Sequence, residues 1–355
     1  MRRTISTIMA AGLAAVFMFT GTVFAGDVSP KASSLPPETN TSVYIGEPSE
    51  EPADVNPLTG EAGLNADAIG MRPVAVMINN HPDNYPQYNV SKADVLFEVV
   101  VEHDLSRFLA LFADYENVPY LVSVRSYRYY FPQLSSGFDA FYIHWGEDLT
   151  MMDYYYELGL DSYDGISNEY LFGRDQDRLN AGYGLEHTSC LYGDRIPDQL
   201  YSDGKRLELK DEFKGDAFNF VPYGTYRIPE DGAAKFADIQ YGAQSTQFSY
   251  DEAAQKYMKF ANDEPQMDGI TGEQFSFDNV LILYTQIYDR EDDEANRKWL
   301  DVLGTMDDYY TYGFYLTRGC MQYIRWGKED VSSRLKFYDL DGNEIDINRG
   351  KTYIT

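Results

Sequence analysis

Positive charge is what this 355-residue sequence has little of: 29 Lys and Arg stand against 57 Asp and Glu, a net charge of −28. That deficit excludes binding to nucleic acid or anionic lipid, where phosphate neutralisation supplies most of the affinity. Cysteine is almost absent. Cys190 and Cys320 are the only two, which rules out a disulfide-stapled scaffold and leaves at most one bridge, open to an exported chain. Four histidines, His81, His103, His144 and His187, fall in no HExxH, and no CxxC accompanies them. No metal centre and no cofactor is expected. Long apolar runs are missing after the first 25 residues, so no later segment is expected to span a membrane.

What is present begins with an address. Arg2 and Arg3 precede the apolar stretch Ile8 to Phe19, too short to cross a bilayer, and Val23-Phe24-Ala25 offers small residues for cleavage. Residues 1–25 read as a secretory signal, so the protein is expected outside the cytoplasmic membrane. No Cys lies near residue 25 to take a lipid. Residues 26–55 are rich in Pro, Ser, Thr and Glu without apolar periodicity, the composition of a flexible linker. The folded part starts near Asn56. About 300 residues suggest two domains, divided here at 56–215 and 216–355.

Apolar β-branched runs predict strands at Val74 to Ile78, Asp94 to Val101, Arg107 to Phe112, Val118 to Val124 and Phe138 to His144. Further strands are predicted at Ser245 to Tyr250, Gln255 to Ala261, Asn279 to Ile287, Tyr309 to Leu316 and Gly319 to Trp326. Helix is signalled weakly, near 127–137, 149–158 and 194–200, with Ser189 or Asp194 as possible caps. The class is α+β, as two subdomains with mixed or antiparallel sheets. Tyrosine is abundant, at 31 residues against three Trp. Its flat ring with a polar tip suits sugar stacking and wet interfaces.

Candidate chemistry concentrates in Ala93 to Tyr130, where Glu98, Glu102, Arg107, Arg125 and Arg128 are set into apolar strands. Buried charge is costly unless paired or functional. In one strand Glu98 and Glu102 share a face at about 13 Å. That is too far for a glycosidase pair, which needs roughly 5–5.5 or 6.5–9.5 Å. A partner such as Asp94, Asp104 or Asp139 would have to be folded in. The short turn His103 to Ser106 instead places Glu102 opposite Arg107 as a cross-strand ion pair. Arg125 and Arg128, three apart, would share a helical face and could fork onto a carboxylate or phosphate, or neutralise Glu98 and Glu102. His144, at a strand end, is a candidate acid or base. Arg174-Asp175 with Arg178, and Glu186-His187-Thr188, form a second polar group. Ser126, His144 and Asp139 could be assembled into a triad, but no GxSxG elbow supports it.

Several of these stretches carry a resemblance. Asn56-Pro57-Leu58-Thr59-Gly60, RPVAVMINNHPDNYPQYNVSKADVLFEVVVE, Ser106-Arg107-Phe108 and VRSYRYYFPQLSSGFDAFYIHWG resemble the YerB-like family of bacterial envelope proteins. So do Phe172-Gly173-Arg174-Asp175, Glu186-His187-Thr188, DNVLILYTQI and the closing RWGKED to KTYI. The resemblance covers about residues 56–355. It implies an N-terminal and a C-terminal α+β domain and a mostly Gram-positive, typically lipid-anchored setting. It assigns no reaction. Two expectations follow. One is a non-catalytic module that binds cell-wall material or an envelope protein through Glu102, Arg107, Arg125, Arg128, Arg174 and His187. The other is a glycan- or peptidoglycan-acting hydrolase using Glu98 or Glu102, with Asp139 or His144 as second group.

Overall fold

The computed structural model of the chain describes residues 18–19, 42–291 and 293–355. Most of the expected signal, residues 1–25, and the first part of the expected linker lie outside the described residues. Eleven strands build the main sheet: β1 (Val74–Asn79), β2 (Val95–Val100), β3 (Ser106–Phe112), β4 (Phe141–His144), β5 (Ser162–Asp164), β6 (Gly232–Ala233), β7 (Asn279–Leu283), β8 (Tyr312–Thr317), β9 (Cys320–Gly327), β10 (Lys336–Tyr338) and β11 (Thr352–Ile354). Every residue of β1 and β3 is buried. Strands covered on both faces are continuous apolar runs, which is why these were legible in the sequence.

The sheet order is β6-β9-β8-β7-β11-β2-β3-β1-β4-β5, with β10 also on β9. The halves do not form separate sheets. Strand β11 runs parallel to β7 on one side and to β2 on the other, so the end of the C-terminal half is the seam that joins it to the N-terminal half. A smaller antiparallel sheet, Phe236–Gln240, Ser245–Asp251 and Lys256–Ala261, lies against this seam. Its Phe248 ring centroid is 4.8 Å from that of Tyr353 in β11. Strands dominate and the helices are short, Tyr130–Ser136, Met152–Leu158, Gln176–Asn180 and Ile196–Ser202. The fold is α+β with mixed sheets.

Local expectations change in four places. Ser42–Gly46, read as part of the flexible linker, is a strand paired with Thr225–Pro229. The strand expected at Val118 to Val124 is only Leu121–Val122, paired with Ser189–Leu191. Ser189 is thus a strand residue, and no side chain caps the helix Ile196–Ser202. Asn279 to Ile287 breaks after Leu283, because Tyr284 follows the edge of β8 and the chain then leaves the sheet. Cys190 and Cys320 are both free thiols.

Candidate functional site

Strands β1, β2, β4, β5, β7 and β11 all point the same way, with β3 and β8 running against them. One rim therefore gathers the carboxyl ends Asn79, Val100, His144, Asp164 and Leu283 with the amino ends Ser106 and Tyr312. In sheets with parallel strands, ligands bind at that edge because the loops leaving it diverge.

Glu98 and Glu102 reach this rim on different sides. In β2 and β3, Glu98 lies opposite Phe108 and Val99 opposite Arg107, so Glu98 and Arg107 point to opposite faces. The strand ends at Val100. His103 and Asp104 then take left-handed conformations, φ 51° and 59°, in a tight turn closed by Leu105 N–H to Glu102 C=O at 3.0 Å. The turn swings Glu102 onto the Arg107 face. The expectation that the two glutamates share a face fails because strand alternation does not extend through the turn.

Glu98 is sealed. Asn80 Nδ2 donates to its Oε1 at 2.7 Å, and Thr246 Oγ1 donates to its Oε2 at 2.8 Å. Ser106 Oγ is a third donor. Lys259 Nζ stands 3.6 Å away, both side chains being 0% exposed. Burial pushes the Lys259 ammonium below its ordinary value, opposed by Glu98. Gln87, Gln244 and Gln266 complete the network through Asn80. It spans the seam, joining β1 and β2 to the smaller sheet. Neither Arg125 nor Arg128 neutralises Glu98; a lysine of the other half does.

Glu102 is half-open. Arg107 bonds its Oε1, and Arg128 bonds its Oε2 through Nη2 at 2.8 Å and Nε at 2.9 Å. The Glu102–Arg107 pair is the one that the turn length predicts. Burial pushes the Glu102 carboxyl up, but Arg107, Arg128 and Arg125 outweigh it and hold it below its ordinary range. A carboxylate so held stays ionised and is no general acid. Arg125 is different. It precedes the helix in extended backbone, its N–H donating to Met77 C=O at 3.0 Å, so it shares no helical face with Arg128. Among the described residues nothing bonds its guanidinium, and its buried Nε has no acceptor. Burial pushes Arg125 down, and Arg128 and Arg174 press the same way against Glu102 and Glu186.

The remaining candidates divide. Arg174 lies over the Trp145 ring at 4.4 Å and donates to Leu185 C=O at 2.6 Å. His187 is buried beside it on the Arg125 side. Asn79 Nδ2 lies 2.9 Å from its Nδ1, and Glu186 is 3.8 Å from its Nε2. His81, Asp83 and His187 each bring a ligand atom within 4.8 Å of the others. With Asn79 donating to Nδ1, the proton of neutral His187 sits on Nε2 and blocks that lone pair. Burial, His81 and Arg125 also push His187 down, so a metal ion there would meet a guanidinium. His144 is sealed instead, 1% exposed. Its Nδ1 bonds Gly146 C=O at 3.0 Å and its Nε2 faces Tyr155 OH at 3.2 Å. Burial pushes it down to about 4. Asp139 precedes the amino end of β4, away from the rim, bound to Arg206 at 2.7 Å. It cannot join His144 or Glu102, so the assembled triad and the hydrolytic second group both lose it.

Sequence reading missed Lys259 and the glutamines around Asn80. Polar residues alternating in Ser245–Asp251 and Lys256–Ala261 were the available signal, but only the fold supplies their partner. Arg178, read in the sequence as part of the second polar group, is 1% exposed; it bonds Asn84 Oδ1 at 2.7 Å and His187 C=O at 3.1 Å and so braces the His187 loop.

A mixed sheet split between two α+β halves, with a charged rim and, among the described residues, no recognised catalytic constellation, defines a class met before. The chain belongs to the family described as protein of unknown function DUF3048, whose N-terminal domain matches residues 58–204 and whose C-terminal domain matches residues 237–354. It is 31% identical over 223 residues to YerB, a candidate lipoprotein of Bacillus subtilis (strain 168). That match covers 60% of this chain and 62% of the relative, short of two thirds of its length. The crystal structure of YerB protein from Bacillus subtilis superimposes with a TM-score of 0.69 at 25% identity, over 84% of this chain and 94% of that one. No helix among the described residues is long and apolar enough to cross a membrane.

Proposed function

We propose that this is an exported envelope protein that binds a carboxylate-bearing ligand, cell-wall material or an envelope partner, at the rim built by Glu102, Arg107, Arg125, Arg128, Arg174 and His187. The secretory signal and the lipoprotein description of its relative support the address. The observation that carries the binding reading is Arg125. In a chain of net charge −28, a guanidinium stands beside two others that share one carboxylate, and its own donors are unspent. A guanidinium fork matches an incoming carboxylate. Glu102 sets the local balance, fixing Arg107 and Arg128 while leaving Arg125 to the ligand.

Hydrolysis has weaker support, since Glu98 and His144 are sealed and Glu102 is locked as an anion. The test is calorimetric titration with purified soluble peptidoglycan fragments that carry free peptide carboxylates. Wild-type protein is expected to bind saturably and Arg125→Ala to weaken binding at least about tenfold, the value of one charge-assisted hydrogen bond. No wild-type binding, or equal binding by Arg125→Ala, overturns the reading. Release of soluble fragments from insoluble wall by wild type and not by Glu102→Gln would replace it with hydrolysis.

A further inference from the structure

The same rim continues past β7 into a hairpin, Ile287–Asp289 paired with Lys298–Leu300. Tyr288 stands directly opposite Trp299, so the two rings share one face. They are 54% and 41% exposed, and Tyr309 nearby is 71% exposed. Exposed rings gathered on one face, unlike single ones, mark an interaction surface. The hairpin is held firmly. Arg290 bonds Asp148 at 2.9 Å and lies under the Trp299 ring at 4.6 Å. Tyr129 OH bonds the backbone of Leu300, and its ring centroid is 5.5 Å from that of Trp299. The backbone of Glu102 pairs with that of Arg297 in an isolated antiparallel β-bridge. Beyond Tyr129 the aromatic line runs on to Tyr154, at 6.4 Å. The rings thus form a track that crosses from one half of the protein to the other.

Polar groups flank the track. Gln286 bonds the Tyr309 hydroxyl. Asp289 and Asp301 are exposed, and burial, with Asp308, Asp301, Tyr309 and Tyr288, pushes the Tyr310 phenol up.

We infer that Tyr288, Trp299 and Tyr309 form a stacking platform for an uncharged glycan chain. Pyranose rings present C–H faces to aromatic faces, and their hydroxyls donate to carboxylates and amides. The flanking acids repel an anionic polymer and leave neutral sugars. Asp289 already holds Lys298 Nζ at 2.6 Å, whereas an apolar protein surface would leave the exposed Asp301 carboxylate without a donor. The inference does not need the carboxylate site; it rests on the envelope reading only for where the glycan is met.

The test titrates full-length protein with a β-1,4-linked N-acetylglucosamine oligomer, which carries no carboxylate, and follows tryptophan fluorescence and heat. Trp145 is half-buried and Trp326 is 2% exposed, so Trp299 is the reporter. Saturable binding with a Trp299-dependent fluorescence change is expected. Trp299→Ala and Tyr288→Ala are each expected to weaken it about tenfold, the upper value of an aromatic contact. Arg125→Ala is expected to bind the oligomer as wild type does, which separates this site from the carboxylate site. If Trp299→Ala loses its fold by circular dichroism, the outward-facing Tyr288→Ala and Tyr309→Ala decide. Absent wild-type binding, unchanged binding by those variants, or equal loss in Arg125→Ala overturns the inference. So does self-association of the protein through these rings without any glycan binding.

Discussion

Glu98 and Glu102 stand on either side of one strand end, and the structure treats them as opposites. Glu98 enters a closed network whose lysine comes from the other half of the chain. Glu102 enters an open cluster whose arginines are all local, and in which cations outnumber it. The difference teaches where to look for function. A buried charge with every lone pair occupied holds a structure together, whereas a cluster with one guanidinium left over is prepared for something else. Closeness in sequence said nothing about which was which; the turn at His103 and Asp104 decided it.

The sharpest attack on this contrast is Lys259→Met. It strands the Glu98 carboxylate in a dry interior and is expected to cost about 3–5 kcal/mol in urea unfolding. Adding Glu98→Gln should recover most of that loss, since a neutral pair of similar volume is tolerated. A single-variant cost below about 1 kcal/mol would erase the distinction between the two sites. The next effect is smaller. Glu102→Gln is expected to cost about 1–2 kcal/mol at neutral pH, because Glu102 keeps some solvent contact and the amide oxygen of Gln still accepts from Arg107 and Arg128. Its pH dependence has a definite sign. The folded carboxyl lies below its ordinary value, so its stabilisation is present above about pH 4.3 and drains away as pH falls further. The wild-type acid limb should therefore be steeper than that of Glu102→Gln; parallel limbs would show the pair to be idle. The smallest expected effect is Arg125→Ala, within about 0.5 kcal/mol of wild type in thermal unfolding despite its lost ligand binding. A loss comparable to that of Lys259→Met would make Arg125 a structural residue and overturn the contrast.

Much of the N-terminal half was legible because its strands are buried on both faces and turn residues punctuate them. Val74–Asn79 and Ser106–Phe112 are unbroken apolar runs. The Glu102–Arg107 pair was legible because hairpin length fixes which residues meet. What stayed hidden was long-range. Lys259 carries no local mark of its partner, and nothing in Thr352–Ile354 announces a central strand. Arg125 and Arg128 look like a helical pair at their spacing, but the helix starts only at Tyr130. His144 looked available because strand ends commonly are; besides Tyr142 of its own strand, it is enclosed by Tyr127 and Tyr155 from two other segments.

The position of β11 has a consequence in time. Thr352 pairs with Val95 and with Asn279, so neither half can finish its own sheet until that late segment arrives. Pairings this distant along the chain slow folding. The two halves stay unzipped until those last residues are made, and one short segment then closes both.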